Sequence, residues 1–151
     1  MTKDITFYHL TSKPIEKTLP NLAFKIFESG QRALILCKDE NQMDELNHIL
    51  WSFSTKKFIP HGSMKDESPE LQPVLLSTNI GDLHNSPEIV IILNEQDIQD
   101  NSSFKKYSYM FYGNENDAEV ISARKLMKSY SNAGYSVKSW TLDKKENWVK
   151  V

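Results

Sequence analysis

The chain opens on a short apolar run, Ile5 to Leu10, that mixes β-branched, aromatic and aliphatic residues as an initial strand should. Thr11, Ser12, Lys13 and Pro14 form a loop. Leu19, Leu22, Ala23, Ile26 and Phe27 then fall on one helical face, with Pro20 placed in the first turn, where its missing N–H costs little. Ser29 and Gly30 close that helix. Ala33 to Cys37 is continuously apolar, which suits a strand covered on both faces of a parallel sheet. Asp39 caps the next helix with Gln42 three residues later, a capping-box-like arrangement, and Met43, Leu46, Leu50 and Phe53 form its buried stripe.

Phe58 to His61 reads as a short edge strand, since Pro60 cannot donate to a central ladder. Gly62 to Pro73 is polar and reads as a loop. Val74 to Ser77 and Glu88 to Leu93 are strands separated by a turn containing Gly81, Asn85 and Pro87. Tyr107 to Tyr112 is an aromatic strand, Gly113 to Asp117 a turn, and about Ala118 to Asn132 a helix closed by Ala133 and Gly134. A last strand runs from Tyr135 to Trp140. Strands separated by helical crossovers predict an α/β fold of one domain, residues 1 to 151, with helices on both faces of a largely parallel sheet in a three-layer α/β/α arrangement. The charged tail, residues 141 to 151, reads as a loosely attached extension that Trp148 anchors.

Composition narrows the function classes. Hydrophobic residues at 39% and charged residues at 25% are ordinary for a soluble chain, and no apolar run is long enough to cross a bilayer. The N-terminus enters a strand pattern without a signal core, so a cytoplasmic location is expected. A single cysteine, Cys37, permits no intrachain disulfide. The net charge of −2 gives no global attraction to polyphosphate, so any contact with DNA is expected to be local or made through a partner.

The chemistry is marked first by what is missing. Parallel α/β chains bind nucleotides through glycines after a strand, because backbone amides approach phosphate only where side chains do not intervene. Here the first strand is followed by His9, Leu10, Thr11, Ser12, Lys13 and Pro14, with neither GxGxxG nor GxxxxGK[ST]. No nucleotide cofactor is expected. His9, His48, His61 and His84 lack metal-ligand spacing, and the lone cysteine cannot complete a thiolate site. Cys37 ends a strand, the position of a nucleophile in some α/β enzymes, but burial accounts for it; Asp39 beside Glu40 is accounted for by helix capping. No catalytic residue is assigned.

Two groups of residues stand out for binding. Arg124 and Lys128 are an i, i+4 pair on the last long helix, with Lys125 beside them and Val120, Met127 and Tyr130 near that face. The bland reading is a solvated charged side; the functional one is a basic, apolar site for a peptide ending in an aromatic residue and a carboxylate. Trp51, Phe53, Phe58 and Ile59 gather at one helix-to-strand junction, where Trp51 falls beside the buried stripe and so is expected to stay partly exposed as an interface anchor.

Taken together, ITFYHL, GQRALILCKDENQMDELNHILW, FIPHG, PVLLS, EIVIILN and AGYSVKSW, in this order, resemble the DNA polymerase III chi subunit family from Ile5 to Trp140. The FIPHG piece after LW is the most specific part. The resemblance implies a Rossmann-like nucleotide-binding fold without its phosphate loop, and a non-catalytic accessory subunit of the replicative holoenzyme. It implies two protein partners: the C-terminal tail of single-stranded DNA-binding protein, which ends in Ile-Pro-Phe, and the clamp loader, reached through the psi subunit or an equivalent component. It places Arg124 at a tail-binding arginine with Lys128, Tyr130, Met127, Val120 and Lys125 around it, although Val120 and Met127 stand where other members carry a basic and an aromatic residue. It places Trp51, Phe58, Ile59 and His61 at the psi-type interface, in a monomer or heterodimer. Two other classes compete. One is a nucleotide-dependent helicase-like domain, because RALILCKDENQMDELNHIL also resembles a helicase strand and helix. The other is a direct single-stranded DNA binder using Tyr107, Tyr109 and Tyr112 as stacking platforms.

Overall fold

The computed structural model describes residues 4–11, 14–54, 56, 58–79, 86–93, 106–142 and 148–150. In chain order these form β1 (Asp4–Leu10), α1 (Ile15–Glu28), β2 (Ala33–Leu36), α2 (Glu40–Ser52), β3 (His61–Ser63), β4 (Val74–Ser77), β5 (Ile89–Ile92), β6 (Lys106–Tyr112), α3 (Ala118–Asn132), β7 (Ser136–Leu142) and β8 (Trp148–Lys150). The strands make one mixed sheet in the order β3-β4-β2-β5-β6-β1-β7-β8, parallel throughout except where β8 runs antiparallel to β7. The mixed α/β class and the mostly parallel sheet agree with the sequence reading.

Crossover direction decides which helix covers which face. The β1-to-β2 connection carries α1 past β6 and β5, whereas the β6-to-β7 connection carries α3 past β1 in the opposite sense. Right-handed crossovers in opposite senses put their helices on opposite faces. Side-chain packing follows. Leu19, Ala23 and Ile26 of α1 and Met43, Leu46 and Leu50 of α2 share one core cluster with Ala33 and Ile35 of β2, while Val120, Ala123 and Tyr130 of α3 belong to a second cluster with Leu34 and Leu36. All four β2 side chains are fully buried, so the continuous apolar run is explained by cover on both faces.

Local chemistry fixes the helix ends. The Asp39 carboxylate accepts the Gln42 backbone N–H at 2.8 Å, and Gln42 Oε1 accepts the Lys38 backbone N–H at 2.6 Å. This reciprocal pair starts α2. Gly30, at φ 81°, supplies the left-handed residue that ends the α1 segment.

Four sequence expectations are corrected. Helix α1 begins at Ile15, so Pro20 lies in the second turn, buried, and the Glu16 carbonyl loses the bond a residue-20 N–H would have donated. The edge strand is His61–Ser63 instead of Phe58 to His61, because Pro60 has no N–H and pairing with β4 starts at His61. Strand β7 continues to Leu142, two residues past the expected end. The tail is not loose where it is described: Trp148–Lys150 pairs with Trp140, Thr141 and Leu142, and Trp148 anchors it as expected, its ring meeting Tyr8 edge-on at 4.9 Å. The turn around Gly81 and Asn85, and His84, lie outside the described residues.

Candidate functional site

At the carboxyl ends of β1 and β6 the chain departs to opposite faces, the place where open α/β sheets hold ligands. Here the two strand ends are bridged. The ring of buried His9 stacks on Phe111 at 4.8 Å, its Nε2 lies 2.8 Å from the Gly113 carbonyl oxygen, and the Gly113 N–H donates to the Leu10 carbonyl at 3.0 Å. An imidazole and a backbone bond thus join the ends of the two strands.

Helix α3 carries the basic row. Ile121, Arg124, Lys125 and Lys128 follow the i, i+3, i+4, i+7 spacing of one helical face. Lys125 and Lys128 are exposed, and Ile121 keeps 44% of its surface open. Arg124 pairs with Glu115 in the preceding turn at 2.8 Å, both side chains partly open to solvent. Such an exposed pair contributes little to stability, so its release costs little. The row lies outside the cavity of about 450 Å³ under α1 and the groove of about 470 Å³ between α1 and α2.

Two residues expected near Arg124 lie elsewhere. Val120 and Tyr130 are fully buried beneath α3. The Tyr130 hydroxyl shares a 2.7 Å hydrogen bond with that of Tyr109, and its ring packs against Phe7 and Tyr135. They set the helix position and line no open surface. Met127 is half-buried against the same core. Ile121 was missed by the sequence reading, which followed the charges; its position three and four residues before Arg124 and Lys125 was the available signal.

The second surface lies at the end of α2. Trp51 is 52% and Phe58 60% exposed, with ring centroids 5.4 Å apart. Ile59 and His61, expected to share this surface, are buried beneath it. The His61 ring is held between the carbonyl oxygens of Ile59, 2.7 Å from Nδ1, and Asn47, 3.0 Å from Nε2, and supports Trp51 at a centroid distance of 4.3 Å. The buried Asn47 side-chain oxygen finds no partner among the described residues. Ile59 and His61 therefore build the platform on which Trp51 and Phe58 stand.

The remaining candidates are accounted for structurally. Cys37 is fully buried, and burial first, then the nearby Asp39 charge, pushes its thiol up to about 12, far from a reactive thiolate. Tyr107 and Tyr109 are buried on the α3 side, so they offer no bases a platform; Tyr112, out of phase with them, is partly exposed. Among the described residues no three His, Cys, Asp or Glu side chains gather as a metal site, and no helix is long and apolar enough to cross a membrane.

Residues 1–138 match the family model described as DNA polymerase III chi subunit, HolC. The chain belongs to the DNA polymerase III chi subunit family. It is 30% identical over 109 residues to the "Probable DNA polymerase III subunit chi" of Rickettsia prowazekii, covering 72% of this chain and 66% of that one. It is 32% identical over 80 residues to the DNA polymerase III subunit chi of Haemophilus influenzae, covering 51% and 56%, and 32% identical over 74 residues to that of Escherichia coli, covering 44% and 50%. The matches span between half and two thirds of these chi proteins' own lengths. The chi family model covers both β1 and β6, which His9 and Gly113 join, and all of α3 with its basic row.

Proposed function

We propose that this chain is a non-catalytic accessory subunit of bacterial DNA polymerase III, acting in the cytoplasm in DNA replication and linking the clamp loader to the C-terminal tail of single-stranded DNA-binding protein. Its fold is read as three-layer α/β/α, Rossmann-like without a phosphate loop, in one domain spanning residues 1–151. Family membership supports the subunit role. The α3 row supports tail docking: Arg124, Lys125 and Lys128 offer charge to a terminal carboxylate and acidic neighbours, and exposed Ile121 offers an apolar contact to the terminal Phe. Contact with DNA in this reading runs mainly through that partner.

The Trp51 and Phe58 surface is assigned to psi or an equivalent clamp-loader component, giving a heterodimer. Two large rings on a rigid base have the character of interface anchors. A nucleotide-dependent reading is disfavoured by the His9 bridge across the switch crevice.

The observation that carries the tail reading is the Arg124-centred row beside Ile121. Calorimetric titration with an acidic peptide ending in Ile-Pro-Phe tests it. Arg124→Ala and removal of the terminal Phe are each expected to weaken binding by roughly tenfold or more, about 1.4 kcal/mol. Unchanged affinity in both would remove tail docking at α3.

A further inference from the structure

The sheet is covered unevenly. Along β1, Ile5 and Phe7 are fully buried on the α3 side, whereas Asp4 is exposed and Thr6 and Tyr8 are only half-buried on the other. Register carries this alternation outward: Thr6 pairs with Lys138, Tyr8 with Trp140, and Trp140 with Lys150. Cross-strand partners and residues two apart share a face, so Tyr8, Lys138, Trp140, Trp148 and Lys150 lie together on the side opposite α3. The 4.9 Å edge contact of Tyr8 with Trp148 agrees.

The opening follows from topology. Helix α1 leaves β1 toward β2, away from β7, and α3 takes the opposite face, so no described helix lies over β1, β7 and β8 on this side. Lys138 and Lys150 are exposed there, and Trp140 and Trp148 are half-buried. Parallel strands normally have both faces covered. At the α1 rim, Lys25 joins Lys138, Thr6 and Tyr8 around the 450 Å³ cavity.

We propose that this open face binds single-stranded nucleic acid directly, with bases stacking on Tyr8, Trp140 and Trp148 and phosphates meeting Lys25, Lys138 and Lys150. Aromatic rings interleaved with lysines on an open sheet present planar groups to bases and cations to the backbone linking them. Stacking needs no base-edge hydrogen bonds, so the contact is sequence-tolerant. Three lysines against Asp4, in a chain of net charge −2, make it weak and salt-sensitive. The occupant is single-stranded because the rings offer faces that bases reach only out of a duplex. This adds a direct DNA contact to the partner-mediated one proposed above, and it is independent of it, because the α3 row belongs to the other face.

The test uses the full chain and a fluorescein-labelled dodecamer of oligodeoxythymidylate, read by anisotropy and by quenching of tryptophan emission. Binding is expected at about 20 mM salt and weakens toward 200 mM, with a log–log slope of about −1.4 to −2.1 for two to three phosphates. Trp140→Ala and Lys138→Glu are each expected to weaken it by about fivefold or more, Trp140→Phe to retain most of it, and Arg124→Ala to leave it unchanged. Lys138 is exposed, so Lys138→Glu keeps the test valid if Trp140→Ala fails to fold. Absence of binding at low salt, wild-type affinity in Lys138→Glu, or loss of binding in Arg124→Ala would each overturn the proposal. Equally tight binding of polyglutamate, with the same quenching, would assign the face to an acidic peptide and overturn it as well.

Discussion

The Arg124 guanidinium sits 2.8 Å from the Glu115 carboxylate, which holds it against its own turn while leaving both groups open to water. The glutamate therefore competes with any carboxylate that approaches α3. Glu115→Ala is expected to change unfolding free energy by no more than about 0.5 kcal/mol. The same substitution is expected to tighten binding of an Ile-Pro-Phe-terminated peptide about two- to threefold at low salt, and less at high salt. Calorimetry on the two proteins at two salt concentrations checks both parts; weaker binding would mean that Glu115 positions the arginine productively.

Beneath α3, Tyr130 joins Tyr109 by a 2.7 Å hydrogen bond and fills the space beside Phe7. Tyr130→Phe keeps the ring and is expected to lose about 0.5–1.5 kcal/mol. Tyr130→Ala removes the ring as well and is expected to lose about 3–5 kcal/mol. Urea unfolding with comparable slopes gives both values.

Trp51 and Phe58 contribute more outside than inside. Each is more than half exposed, so alanine at either position is expected to cost less than about 1 kcal/mol of stability. Against the clamp-loader partner, Trp51→Ala is expected to weaken binding about thirtyfold, the effect of an anchor worth roughly 2 kcal/mol. Surface plasmon resonance with the purified partner decides between an anchor and a bystander.

The buried Cys37 thiol gives a pH signature. Its value rises from 9.0 to about 12 because burial, then Asp39, disfavours the thiolate. Below pH 9 the thiol is protonated in both folded and unfolded chains, and its contribution is fully present. Between pH 9 and about 12 only the unfolded chain releases the proton, so stability falls as pH rises, by at most about 1.4 kcal/mol per unit from this group. Urea melts between pH 8 and 10 are expected to show a steeper decline than those of Cys37→Ala.

Much of the fold was legible because local signals and packing agree. The Ala33–Leu36 run, the Asp39 cap and the Met43, Leu46, Leu50 stripe each have one stable arrangement, and the sheet requires it. Misplacements occur where tertiary contacts overrule local preference. Phe58 and Ile59 have strand character, but Pro60 displaces pairing to His61 and Gly62. Gly62 fits there because a Cβ would come within 2.9 Å of the Gln72 side chain. The charged tail looks solvated, and its Trp148–Lys150 segment still forms β8, because Trp148 has Tyr8 to pack against. At the candidate site the charges were legible and their surroundings were not. Helical spacing finds Arg124 and Lys128, while the depth of Val120 and Tyr130 depends on a sheet the spacing does not contain.

Among the described residues the sheet ends on both sides in strands of only three residues, β3 and β8. So short a border gives a passing chain few unpaired amides and carbonyls to copy, which guards against edge-to-edge aggregation where the protein is crowded. Companions must then be chosen by side chains projecting from faces and helices, and a point mutation can sever one association while sparing the others.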